Sequence, residues 1–109
     1  MNDDGSVSDC NETAAPVPDG ALVRTLPIIN RKGLHARATA KFVQCAEGFD
    51  AQITVSRCGE TVGGDSIMGI LMLGAGIGTS ITVTASGVQA KEALDALDAL
   101  VANRFGEDE

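Results

Sequence analysis

A chain of 109 residues with 44% hydrophobic but only 3% aromatic content makes one small domain whose core is built from Ala, Val, Ile and Leu rather than rings. Its net charge of −7 excludes a general nucleic-acid binder, which carries a basic stripe interleaved with aromatic residues. The charge is uneven: Asp3, Asp4, Asp9, Glu12 and Asp19 have no basic residue among them, whereas Arg31, Lys32, Arg37 and Lys41 crowd around His35, the one histidine, with no acid between them.

Cys10, Cys45 and Cys58 are odd in number, widely spaced and without a CxxC pair, so neither a disulfide framework nor a zinc site is expected. No metal or cofactor is called for. The N-terminus lacks a basic region followed by an apolar run, and no apolar stretch is long enough for membrane insertion, so the expected location is cytoplasmic.

Residues 1–20 mix acids, Ser, Asn and Thr with Pro16 and Pro18 and almost no large apolar side chains, which predicts a disordered acidic tail ahead of a domain at 21–109. Leu22 to Ile29 reads as a strand, and Pro27, unable to donate to a ladder, places it at a sheet edge. From Ala36 to Glu47 the period changes. Thr39, Phe42, Val43 and Ala46 share one helical face, and Gly48 stops the helix. Gln52 to Ser56 alternates as a half-buried strand, and Cys58-Gly59 turns it into a shorter one around Thr61 and Val62.

Ser66 to Leu73 is too dense in apolar residues to alternate and has Asp65 or Ser66 to cap its start, so a short helix is predicted. Ser80 to Ser86 alternates again through Ile81, Val83 and Ala85. The last element, Gln89 to about Asn103, carries Ala90, Ala93, Leu94, Leu97 and Val101 at helical spacing. The order β-α-β-β-α-β-α predicts an α+β open-faced sandwich, a four-stranded antiparallel sheet covered on one face by three helices, with the first strand at the edge beside the fourth.

His35 stands at the mouth of the first helix. Backbone N–H groups of Ala36 and Arg37 and the helix dipole favour an anion there, and the Arg37 guanidinium matches phosphate oxygens. These features suit a histidine that accepts a phosphoryl group and gives it up again. A solvent-exposed histidine beside ordinary surface cations fits the same residues equally well. In the second helix, Ile67, Met68 and Leu71 share one side and form either an adaptable docking patch or ordinary core. Ser66 is an N-cap in the simpler reading; a phosphate on it would add about −2 charge beside the patch.

Gly33-Leu34-His35-Ala36-Arg37, followed by Lys41-Phe42-Val43, resembles the active-site segment of the HPr phosphocarriers of the bacterial phosphotransferase system. Asp65-Ser66-Ile67-Met68-Gly69-Ile70-Leu71-Met72-Leu73 resembles the same family's regulatory-serine motif and second helix, and the likeness runs from about Leu22 to Val101. The resemblance implies the open-faced sandwich fold and a monomeric carrier that is not an independent enzyme. His35 would be phosphorylated on Nδ1 by phosphoenolpyruvate-charged enzyme I and emptied by an enzyme IIA-type acceptor, with Arg37 at the phosphate. Ser66 matches the serine that HPr kinase/phosphorylase modifies in some bacteria, and Ala40, Gln44, Ile67, Met68 and Leu71 match the partner-facing surface. A regulatory adaptor switched at Ser66 is the alternative. Ala38 stands where the family commonly has proline, a change that removes no phosphate ligand. The ending Phe105-Gly106-Glu107-Asp108-Glu109 looks more like the family's nitrogen-related branch than a dedicated sugar carrier.

Overall fold

The protein is represented by a computed structural model that describes residues 20–106. The acidic tail, except Gly20, and the last three residues lie outside that range. The elements are β1 (Leu22–Pro27), α1 (Ala36–Glu47), β2 (Gln52–Arg57), β3 (Glu60–Gly63), α2 (Ile67–Met72), β4 (Ser80–Ser86), α3 (Ala90–Ala102) and a 3-10 turn at Arg104–Gly106. All strand pairs are antiparallel in the order β1-β4-β2-β3, which places β1 at an edge beside β4 as its proline requires. β1 ends at Pro27, two residues earlier than its apolar run suggests. Beyond it Ile28 N–H donates to Thr79 O at 2.8 Å and Gly78 N–H to Ile28 O at 3.0 Å, so the chain stays attached to the loop before β4 without continuing the ladder.

The cross-strand register separates the two faces. Leu26 lies opposite Ile81, and Val83 lies opposite Val55, so these side chains point together toward the helices. All four are buried, and Phe42, Val43, Ile70, Leu94, Leu97, Val101 and Phe105 complete the core from the helical layer. On the other face Thr82 meets Thr25 and Ser56, and Thr84 meets Thr54. The hydroxyls of Ser56 and Thr61 lie 3.0 Å apart there and share a hydrogen bond. The expected open-faced sandwich is therefore the observed architecture.

The cysteine expectation needs correction. Cys45 is a free thiol whose pKa is pushed up by burial, but Cys58, in the β2–β3 turn, is disulfide-bonded.

At the sheet edge, Arg24 of β1 reaches Asp95 and Asp98 of α3 at 2.9 and 3.3 Å, and Lys91 meets Asp95 at 2.9 Å. The hydrogen bond from Lys91, then that from Arg24, holds the Asp95 carboxyl below the usual carboxylate range. A carboxyl with a depressed folded-state pKa adds stability above its unfolded value and loses it as pH falls through the folded one. Asp95→Asn is therefore expected to lower the melting temperature slightly at neutral pH. The difference from the parent should close below about pH 4, near the ordinary aspartate value, and thermal melts of both proteins across acidic pH check this. A difference that persists at the acid end would refute the assignment.

Candidate functional site

The segment leading to His35 is built as a pinned turn. Gly33 N–H donates to Asn30 O at 3.1 Å, and the Asn30 amide, fully buried, returns a 2.8 Å bond to Gly33 O. Leu34, also buried, donates its N–H to Ala75 O at 2.9 Å, tying this turn to the loop after α2. Gly33 sits at φ +64, and a Cβ on it would fall 2.6 Å from Ala75 O. Two loops far apart in sequence thus meet backbone to backbone immediately before the histidine.

His35 is the N-cap of α1, with extended backbone at φ −79 and ψ −178. Its carbonyl accepts the first helical bond from Thr39 N–H at 2.8 Å, and its ring Nδ1 accepts from Arg37 N–H at 3.2 Å. An N-cap side chain accepting from the second helical residue is the usual arrangement, but it is usually supplied by Ser, Thr, Asp or Asn. The bond places a lone pair on Nδ1 and the proton of the neutral ring on Nε2. That lone pair is held against the positive end of a twelve-residue helix whose first turn contains no acid. Arg37, Arg31 and Lys32 are exposed around it. Lys41 is diverted from this patch: its Nζ donates to Phe105 O at 2.6 Å. The shallow depression lined by Ala46, Glu47, Phe49, Gln52, Ile53 and Asp65 lies at the opposite end of α1 and presents acids instead of cations.

α2 flanks α1. Ser66 caps it, with Oγ accepting from Gly69 N–H at 3.0 Å. Gly69 is needed for that contact, because a Cβ there would come within 2.9 Å of both Ser66 Oγ and Val62 Cβ. The helix has a mixed character: Ile70 and Leu73 are core, while Ile67, Met68 and Met72 are exposed. Leu71, expected in the exposed patch, is half-buried because its side of α2 turns toward the domain. Met72 at 80% exposure and Ile77 at 56% form part of the apolar surface and were not singled out by spacing. On α1, Gln44 is exposed and Ala40 half-buried.

A helix-capping histidine with cations around it, set on an open-faced α+β sandwich, defines a domain of the phosphoryl-carrier class. The comparisons with known proteins agree. Residues 22–103 match the family model described as the PTS HPr component phosphorylation site. The chain is similar to phosphocarrier protein HPr of Cupriavidus necator, 53% identical over 88 residues that cover 81% of this chain and 99% of that protein. Phosphocarrier protein NPr of Shewanella violacea is 43% identical over 86 residues, covering 79% of this chain and 94% of that one. The crystal structure of an HPr from Thermoanaerobacter tengcongensis has a TM-score of 0.77 at 41% identity, covering 81% of this chain and 99% of that one. The chain belongs to the HPr family of phosphocarrier proteins, and is a carrier rather than an independent enzyme.

Proposed function

We propose that this carrier accepts a phosphoryl group on Nδ1 of His35 from phosphoenolpyruvate-charged enzyme I and passes it to an enzyme IIA-type acceptor, acting as a cytoplasmic monomer. One observation carries this reading: the Nδ1 lone pair is already oriented onto the first-turn amide of Arg37. In the transfer, the Arg37 N–H releases Nδ1, whose lone pair forms the new N–P bond while the donor's bond to phosphorus breaks and its electron pair returns to the donor. No proton has to leave Nδ1. The developing phosphoryl oxygens meet the N–H groups of Ala36 and Arg37 and the Arg37 guanidinium, and such charge-assisted bonds are stronger than neutral ones.

The exposed apolar residues Ile67, Met68 and Met72, with Ile77, and Ala40 and Gln44 on α1, suit the docking of both larger partners. Leu71 supports that surface from its edge. A phosphate on Ser66 Oγ, placed there by an HPr kinase/phosphorylase, adds charge beside this patch and slows the exchange. The NPr relative supports a place in the nitrogen-related branch.

The test is incubation with enzyme I and phosphoenolpyruvate, followed by intact mass and acid-lability analysis of the wild type and His35→Ala. One acid-labile phosphoryl group on the wild type and none on the variant is expected. An unlabelled wild type would defeat the carrier reading, leaving the regulatory adaptor in which the α2 surface binds partners and Ser66 is the switch.

A further inference from the structure

The first turn of α1 holds one donor that nothing among the described residues satisfies. Thr39 N–H bonds to His35 O and Arg37 N–H to His35 Nδ1. Ala36 is exposed, so water reaches its N–H. Ala38 differs from all three: it is 0% exposed, and among the described residues its N–H has no acceptor. Buried backbone N–H groups are rarely left orphaned, because each forfeits its hydration without a replacement bond.

The missing acceptor has an obvious source. N-cap acceptors bond to the second or third helical residue, and here the ring nitrogen serves the second, Arg37, at 3.2 Å, leaving the third, Ala38, unserved. A phosphoryl group on Nδ1 replaces one nitrogen lone pair with three oxygens projecting into the same turn. Resting on the proposed phosphorylation of His35, we infer that Ala38 N–H is a further positioning donor for the phosphoryl group, beside the amides of Ala36 and Arg37. The contact acts differentially. The orphaned donor costs the empty carrier and is satisfied in the loaded one, so Ala38 shifts the phosphoryl equilibrium toward this protein and makes it a less energetic donor.

Proline is the matched probe, since the first turn of a helix tolerates it and it has no N–H to give. Equimolar wild type and Ala38→Pro are equilibrated with a catalytic amount of enzyme I and limiting phosphoenolpyruvate, and the two masses are resolved. The same N–P bond breaks on one carrier and forms on the other, so the partition reads the difference directly. On the order of tenfold more phosphoryl group is expected on the wild type, from the strength of a hydrogen bond to a charged acceptor. Equal partition overturns the inference while leaving the carrier reading intact; an unlabelled wild type overturns both. Should the variant misfold, the wild type alone decides through its amide resonances. Phosphorylation should move the Ala38 N–H strongly downfield together with Arg37, and a stationary Ala38 resonance beside a shifted Arg37 refutes the contact.

Discussion

Gly33→Ala is expected to destabilise the domain by about 3 kcal/mol, combining the cost of a left-handed non-glycine residue with that of overpacking. Two features put this substitution among the most damaging available. The backbone at Gly33 has φ +64, and the added methyl would stand 2.6 Å from Ala75 O and 2.7 Å from Gly76 Cα, which are main-chain atoms and cannot swing away. Relief requires the two loops to part, which stretches the Leu34 N–H to Ala75 O bond that fixes the residue before His35. Phosphorylation by enzyme I should therefore slow by up to about a hundredfold, the penalty for misplacing a reacting group by an ångström. Urea unfolding and the initial rate of labelling measure the two effects. Gly74→Ala is the control: its φ is +68 but nothing lies within 4 Å of the new Cβ, so it should show the conformational cost without the loop separation. Equal losses in the two variants would show that the backbone angle alone matters and that the close approach at Ala75 does not.

Elements with a long period or clean alternation were legible in the sequence because one periodic face suffices to define them. α1 begins and ends where the spacing of Thr39, Phe42, Val43 and Ala46 places it, and β4 occupies Ser80–Ser86 as its alternation requires. α2 was legible as a helix but not in its orientation. Six residues make fewer than two turns, too few for periodicity to separate the half-buried Leu71 from the exposed Met72. The basic stretch was legible as composition, yet Lys41 spends its ammonium on a carbonyl 64 residues away, a pairing that no local pattern encodes. His35 was conspicuous for its neighbours and its singularity. That its own ring nitrogen caps the helix was hidden, since histidine is not among the preferred capping residues. That cap leaves the Ala38 amide without an acceptor among the described residues, which also lay beyond any reading of spacing.

The C-terminal turn, unread in the sequence beyond its acidic ending, supports the second large effect. Phe105 is fully buried although it sits in a three-residue 3-10 turn, and both it and Arg104 adopt positive φ, 56 and 54. Left-handed backbone at two non-glycine residues costs roughly 1–2 kcal/mol each, so the turn persists because burial of the ring against α1 and α3 outweighs the strain. Phe105→Ala removes that burial and is expected to cost about 3 kcal/mol, the lower end for deleting a core phenylalanine, because the strained turn can then relax. Its relaxation withdraws the carbonyl that holds Lys41, returning the ammonium to the cationic surroundings of His35. Phe105→Leu keeps most of the volume and should lose less than about 1.5 kcal/mol. Denaturant unfolding of the two variants decides between anchor and ornament: a Phe105→Ala loss no greater than that of Phe105→Leu would mean that α3, not the aromatic ring, holds the turn against α1.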